Sequence, residues 1–337
     1  MRTETRLAYN ALAVQIAKIN GVTSAEQKFT VSPTIQQKLE TRIQESSDFL
    51  KKINIVPVTD QSGEKLGLGV GKPVAGTQDT TAGPRVPRDP TDLTANGYNC
   101  KQTNFDTAIR YAKLDMWAKF PDFQTKFRDV IVRQQGLDRI TIGFNGTSRA
   151  ATSDPITNPM LQDVNKGWLQ KYREEAPERV LTGGATPGEI NIGAAGDYKN
   201  LDALVVDAVS SLIDSWHQER TDLVAIVGRD LLHDKYFPII NQEQAPTETL
   251  ATDIIISQKR LGGLPATRAP NFPAGKIFIT TLENLSIYYQ EGARRRQLVD
   301  NAARDQVENF ESSNEDYVIE DFGCGCLIEN IEILPVV

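Results

Sequence analysis

DQSGEKLGLGVGKPVAGTQDTTAGPRVPRDPTDLTANGYN (Asp60–Asn99), followed shortly by PDFQTKFRDVIVRQQGLDRITIGFN (Pro121–Asn145), decides the architecture. The first stretch carries Gly63, Gly67, Gly69, Gly71, Gly76, Gly83 and Gly97 with Pro73, Pro84, Pro87 and Pro90, and few aliphatic residues of size. Alternation at Leu66, Leu68 and Val70 predicts a strand, yet nothing here can build a core. A structureless loop this long runs against the usual length of connections in compact domains. The stretch therefore predicts a projecting β-hairpin arm that buries itself against neighbouring subunits, its strand returning over Tyr98–Tyr111. In the second stretch Phe123, Phe127, Val130, Ile131, Leu137, Ile140 and Phe144 keep one helical face, and Asn145-Gly146 ends it. A helix from Pro121 is a rod of about 37 Å. Lys126, Arg128, Arg133 and Arg139 are expected on its solvated side.

Upstream, Leu7, Leu12, Ile16 and Ile19 predict a helix over 1–20 that stops at Asn20-Gly21. Val22–Ser32 reads as an exposed polar linker. A second helix opens at Pro33, a favoured first-turn position, and carries Ile35, Leu39 and Ile43 to about Lys52. These two helices look hinged and outside any domain core. Ile53–Val58 reads as a strand. Downstream, helix and strand alternate: a helix over Leu201–Trp216, a strand at Leu223–Val227, a short helix at Asp230–Phe237, then strands at Ile254–Ile256, Ile277–Thr281, Ile287–Tyr289, Tyr317–Glu320 and Leu327–Ile333. The class is α+β with mixed sheets.

The 337 residues, 39% hydrophobic and 24% charged, are enough for a packed core, and no apolar run approaches the roughly 18 residues that span a bilayer. The N-terminus interleaves charges with apolar residues and does not read as a secretory signal. Residues 1–150 carry a net charge of +6 and residues 151–337 one of −13, together the −7 of the whole chain. Such halves can meet across a subunit boundary as well as within one chain, and overall acidity argues against a dedicated nucleic-acid binder.

Gly67–Pro73 (GLGVGKP) fails as a phosphate loop, because Leu66 stands where the first glycine belongs and Pro73 replaces the hydroxyl. Three cysteines, Cys100, Cys324 and Cys326, make no even disulfide set, and Cys324-Gly-Cys326 lacks the further ligands of a closed zinc site. His217 and His233 have no nucleophile motif to serve. No catalytic, metal or cofactor constellation emerges. Arg294-Arg295-Arg296 lies beside an acidic tract running from Asp300 to Asp321. Arginine–carboxylate pairing, within or between subunits, suits it better than phosphate binding, and a neighbour's carboxylates are the expected partners.

The order of N-terminal arm, extended loop, long helix and α+β lobe resembles the Hong Kong 97-type capsid fold of tailed bacteriophages. The wording resembles a narrower group, the major capsid proteins of peduovirus-type contractile-tailed phages. The resemblance is carried by MRTETR (Met1–Arg6), QESSDFLKKINIVPV (Gln44–Val58), NPMLQDVNKGWLQKYREEAP (Asn158–Pro177), IVGRDLLHDKYFPIIN (Ile226–Asn241), IISQKRLGGLPA (Ile255–Ala266) and LENLSIYY (Leu282–Tyr289). It implies an N-terminal segment (1–32) removed in maturation, an N-arm (33–59) and an extended loop (60–111). A peripheral domain (112–200) with a spine helix (121–145), an axial domain (201–301) and returning C-terminal strands (302–337) follow. It implies a non-enzymatic coat protein of the virion, assembled in the host cytoplasm as pentamers and hexamers into an icosahedral head around DNA held without sequence reading. Its implied partners are further copies of itself, an internal scaffold-protease, a portal protein and, optionally, a decoration protein, with no membrane. The implied cut falls near Lys28, Phe29, Thr30 and Val31. Lys65 and Lys72, with Arg294, Arg295 and Arg296, are the inter-subunit contact candidates, and no cross-link is assigned to the lysines. An encapsulin-like nanocompartment and a cytoplasmic α+β hydrolase using His217 or His233 are the alternatives.

Overall fold

The structure, a computed structural model, describes residues 1–66, 69–70, 75, 77–81, 83–85, 91–92, 95–117, 123–232 and 259–334. Lys72, His233, the Ile254–Ile256 strand and most of the Asp230–Phe237 helix lie outside them.

The organising element is the strand Gln306–Ile319, fourteen residues long and twice the length of the next longest described strand. It pairs antiparallel with Arg295–Asn301, Leu285–Gln290, Lys101–Asn104 and Thr107–Arg110. Asn54–Val58 adds in parallel to Leu285–Gln290, and Phe29–Thr30 adds antiparallel to Arg295–Asn301. A second, six-stranded mixed sheet runs in the order Arg260–Leu261, Leu264–Thr267, Val224–Val227, Ile277–Thr280, Cys326–Ile328, Val180–Leu181. The described arm residues form a hairpin, with Ser62–Leu66 antiparallel to Ala95–Asn99 in the register Ser62↔Asn99 to Leu66↔Ala95. Outside the hairpin, the chain expected to return as one strand over Tyr98–Tyr111 is two strands flanking Phe105, and Tyr111 already begins the helix Tyr111–Trp117.

The spine helix is described over Phe123–Asn145. Its second half is buried against Phe49, Trp168, Tyr172 and Tyr317 in an aromatic core. Gly143 and Gly146 permit this approach. A Cβ on Gly143 would stand 2.3 Å from the Trp168 ring, and one on Gly146 would stand 2.0 Å from the Asn165 carbonyl. The first half is largely exposed, Val130 included, so the expected apolar face does not extend that far. A second core joins Leu201–Leu212 to the six-stranded sheet through Leu204, Val205 and Ala208. That helix ends at Leu212; Ser215–Gln218 is a separate turn carrying Trp216 and His217.

The N-terminus departs furthest from expectation. The first helix, Thr3–Asn20, ends as predicted on Gly21 in the left-handed region (φ 67°). It is not detached: Tyr9, Ile16 and Ala17 pack with Ala25, Phe29, Val31, Tyr111, Leu298 and Val307 in a third core. The second helix stops at Glu45, followed by a 3-10 turn at Leu50–Lys52, and its Ile43 and Glu40 are buried. Period-3.6 reasoning found the helices, but it had no access to the sheet face they cover.

Candidate functional site

Two constructions tie the N-terminal third to the body. The first is a buried charge network. Arg139 of the spine helix and Arg294 are both fully buried. Arg139 donates to both Glu40 carboxylate oxygens (2.6 and 3.1 Å) and both Glu315 oxygens (2.6 and 3.0 Å). Arg294 donates to Glu40 at 2.8 Å, to Glu311 at 2.8 Å and to the Gln135 side-chain oxygen at 2.9 Å. Burial by itself would raise the Glu40 carboxyl, but Arg139 and Arg294 outweigh it and hold it below its ordinary value. At Glu311, likewise, burial is overcome by Arg294 and Arg296. Burial would also strip the Arg139 proton, yet Glu315 and Glu40 push its pKa well up. Each of the five side chains is paired and hydrogen-bonded to an oppositely charged partner, which such burial demands.

This corrects two expectations. Arg139 is not on a solvated helix face. Arg294 does not reach a neighbour, because its donors are taken by Glu40, Glu311 and Gln135 of its own chain. Arg295 is exposed and Arg296 half-buried with its Nε on Asn309 at 2.7 Å. The network sits where it does because residues 311 and 315, four apart on one strand, face the same side of the sheet. Sequence reasoning saw these acids as part of a polar tract and missed the strand that carries them.

The second construction is the edge strand. Phe29 pairs with Arg296 and Thr30 with Arg295. The Val31 N–H donates to the Arg294 carbonyl at 2.8 Å, and the Leu298 N–H to the Ala25 carbonyl at 2.9 Å. Ala25, Phe29 and Val31 are buried; Lys28 and Thr30 are exposed. The exposed linker expected over Val22–Ser32 is thus a partly buried strap on the sheet edge. Asp300 fixes the helix above it, accepting from Arg6 and from the Tyr111 hydroxyl. Burial raises the Asp300 carboxyl less than these two donors lower it.

Of the remaining candidates, Lys65 lies in the arm hairpin opposite Asn96. The arm root is held by the Asn99 N–H on Asp316 Oδ2 (2.9 Å), which Lys171 also approaches at 3.1 Å. His217 Nε2 meets Asp321 Oδ2 at 3.0 Å, with Asp321 half-buried. All three thiols are buried: burial pushes Cys100 and Cys326 up to about 12 and raises Cys324. Such thiols are poor nucleophiles and ligands. Among the described residues no cluster of His, Cys, Asp and Glu could hold a metal, and no helix is long and apolar enough to cross a membrane.

A two-sheet body with a projecting hairpin, a long spine helix and a strapped N-terminus is the subunit of a Hong Kong 97-type phage capsid. The same fold is shared, at 15% identity and a TM-score of 0.54 over 85% of this chain and 90% of the other, with the capsid of an empty GTA particle. The profile of the family described as phage major capsid protein, P2 family, matches residues 8–331, and the chain belongs to that family. It is 53% identical to the "Capsid proteins" of Escherichia phage P2 over 99% of this chain and 96% of that one. To the major capsid protein of Serratia phage KSP20 it is 42% identical over 98% of this chain and 97% of that one. The solved satellite phage P4 procapsid including size determination (Sid) protein contains a chain 52% identical to it, with a TM-score of 0.84 and 99% coverage of both. The protein is a structural subunit of the phage head, and its place is the virion capsid.

Proposed function

We propose that this coat subunit assembles as pentamers and hexamers on an internal scaffold-protease, and that its N-terminal segment is a strap removed by a cut within Lys28–Val31. One observation carries the processing step: the segment is seated through a small core of its own and a two-residue edge strand. It can leave without opening the aromatic core or the core beneath Leu201–Leu212. Lys28 and Thr30 are exposed beside that seat. Cleavage needs several residues in extended conformation, so the strap must first peel from Arg295–Arg296.

In this reading 33–59 is the N-arm, 60–111 the extended loop over a neighbour, 112–200 the peripheral domain, 201–301 the axial domain, and 302–337 returns to the body. Arg295, Arg296, Lys65 and Lys72 are offered to neighbouring subunits. The portal, an optional decoration protein and DNA held by diffuse charge complete the partners. Co-expression with the scaffold-protease, followed by electron microscopy and intact-mass analysis, is the test. Closed shells whose chains begin within Lys28–Val31 are expected. Shells of full-length chain would discard the cut, and particles that never close would discard the assembly scheme.

A further inference from the structure

Two features near opposite ends of the spine helix are left uncovered by the packing described above. One is a knob. Residues 147–163 leave the helix end and return to it as a closed loop. The Thr147 and Ser148 N–H groups donate to the Gln162 carbonyl at 2.8 and 3.0 Å, the Ala150 N–H to the Asp163 carbonyl at 2.8 Å, and the Gly167 N–H to the Gly146 carbonyl at 3.0 Å. Asp154 organises the tip: its carboxylate accepts from the Ile156 N–H at 2.9 Å and the Thr157 hydroxyl at 2.6 Å. Its own N–H donates to Asp163 Oδ2 at 2.7 Å. Pro155 and Pro159 fix φ on either side. At that tip Ile156 is 90% exposed. A branched aliphatic side chain on a loop already ordered by its own bonds is an efficient anchor, since little freedom is lost on contact.

The other is an open, shallow cleft. It has a volume of about 780 Å³ and lies between the second helix and the first half of the spine helix. Val130, 64% exposed, stands in it, ringed by Arg42, Lys126 and Arg133 with Glu45 and Asp129. The rim is net positive. The loop over 147–163 carries Asp154 and Asp163 against one basic residue, Arg149, whose guanidinium is turned back onto the Val164 and Gln102 carbonyls, so the tip around Ile156 offers only the negative Asp154. Val130 precedes the helix end at Asn145 by roughly 22 Å of axial rise. Their exposures show that Ile156 and Val130 do not cover one another within the chain.

We propose that the Ile156 loop of one subunit seats in the Arg42–Val130–Arg133 cleft of the next copy of this chain. Knob and cleft near opposite ends of one rod define a head-to-tail contact, the kind that closes into rings when the rotation is right. The proposal rests on the shell-forming reading and adds a specific seam to it. Engineered cysteines test it cleanly, because Cys100, Cys324 and Cys326 are buried. Shells of the Val130→Cys/Ile156→Cys double variant, oxidised with diamide, are expected to give a ladder of covalent oligomers on a non-reducing gel, with each single variant staying monomeric. Ile156→Asp should keep the wild-type melting temperature and raise the subunit concentration needed for shells by more than about tenfold. If wild-type shells form while Ile156→Asp assembles equally well, or the double variant gives no ladder, the seam is wrong and the shell reading stands. A ladder from Ile156→Cys alone would also overturn it, in favour of a symmetric contact. If wild type itself forms no shells under the same conditions, the shell reading has failed as well.

Discussion

Arg139 shows how far residue-level pattern can mislead. It is expected with Lys126, Arg128 and Arg133 on a solvated helix face, and the structure buries it completely between Glu40 and Glu315. A sequence displays the charge but not the partner, and these partners lie 99 and 176 residues away. Replacing Arg139 by Met leaves two carboxylates in the interior short of a counter-charge, so a loss of about 3–5 kcal/mol is expected in denaturant unfolding. The network also sets an acid limit. Glu40 and Glu311 titrate lower in the folded chain than their ordinary value of about 4.3, so on acidification the unfolded state takes up protons first. Their stabilisation is fully present above that ordinary value and is lost as pH falls through the depressed folded values. Glu40→Gln removes one of the two titrations. Its melting temperature should therefore decline less steeply than that of wild type between neutral pH and pH ~3, measured by circular dichroism.

Elements were legible where a single period and a clear stop governed them. The first helix ends on Gly21 as read, the buried strand Val224–Val227 is where its apolar pattern puts it, and the spine helix is found in place with only its second half burying the expected face. The strand Gln306–Ile319 was read only at its last residues, because its middle, ESSNED, looks like a loop. Those polar groups are tolerated in the sheet because partners are within reach, among them Arg294 on Glu311 and Arg139 on Glu315. Packing likewise overrides propensity at Gly143. Alanine is the better helix former by about 1 kcal/mol. Its methyl would meet the fully buried Trp168 ring at 2.3 Å, and overpacking of that kind typically costs about 1–3 kcal/mol. Gly143→Ala is therefore expected to lower the melting temperature. At the sheet edge, Val31→Pro removes the N–H that bonds the Arg294 carbonyl. Hydrogen exchange at the Leu298 amide, which donates to Ala25 on the same strap, should then accelerate while amides of Val224–Val227 stay protected.

On the scale of the whole molecule, the charge halves read from the sequence are only partly consumed inside the subunit. Arg6 with Asp300 and Arg139 with Glu315 bridge the +6 and −13 halves within one chain, and Glu40 meets Arg294 across the same divide. Two of these pairs take a positive charge from the first half and the third takes a negative one, so +6 and −13 become +5 and −12 and most of the imbalance stands. What is left is carried by surface groups, among them Lys126 and Arg133 on the exposed half of the spine helix. The two halves share one sheet, so a neighbouring subunit meets basic and acidic patches, and attraction between patches acts through solvent, where the Debye length shrinks from about 10 Å at 0.1 M salt to about 3 Å at 1 M. Apolar burial responds to salt in the opposite sense or hardly at all. The two contributions are therefore separable by titration. If the charge halves guide association, the subunit concentration at which shells appear in light scattering should rise with sodium chloride across that range. The unfolding midpoint of the isolated subunit should move little, because its own ionic network is buried and weakly screened. A threshold that falls with salt would place the association energy in apolar contacts and leave the charge asymmetry as a matter of solubility.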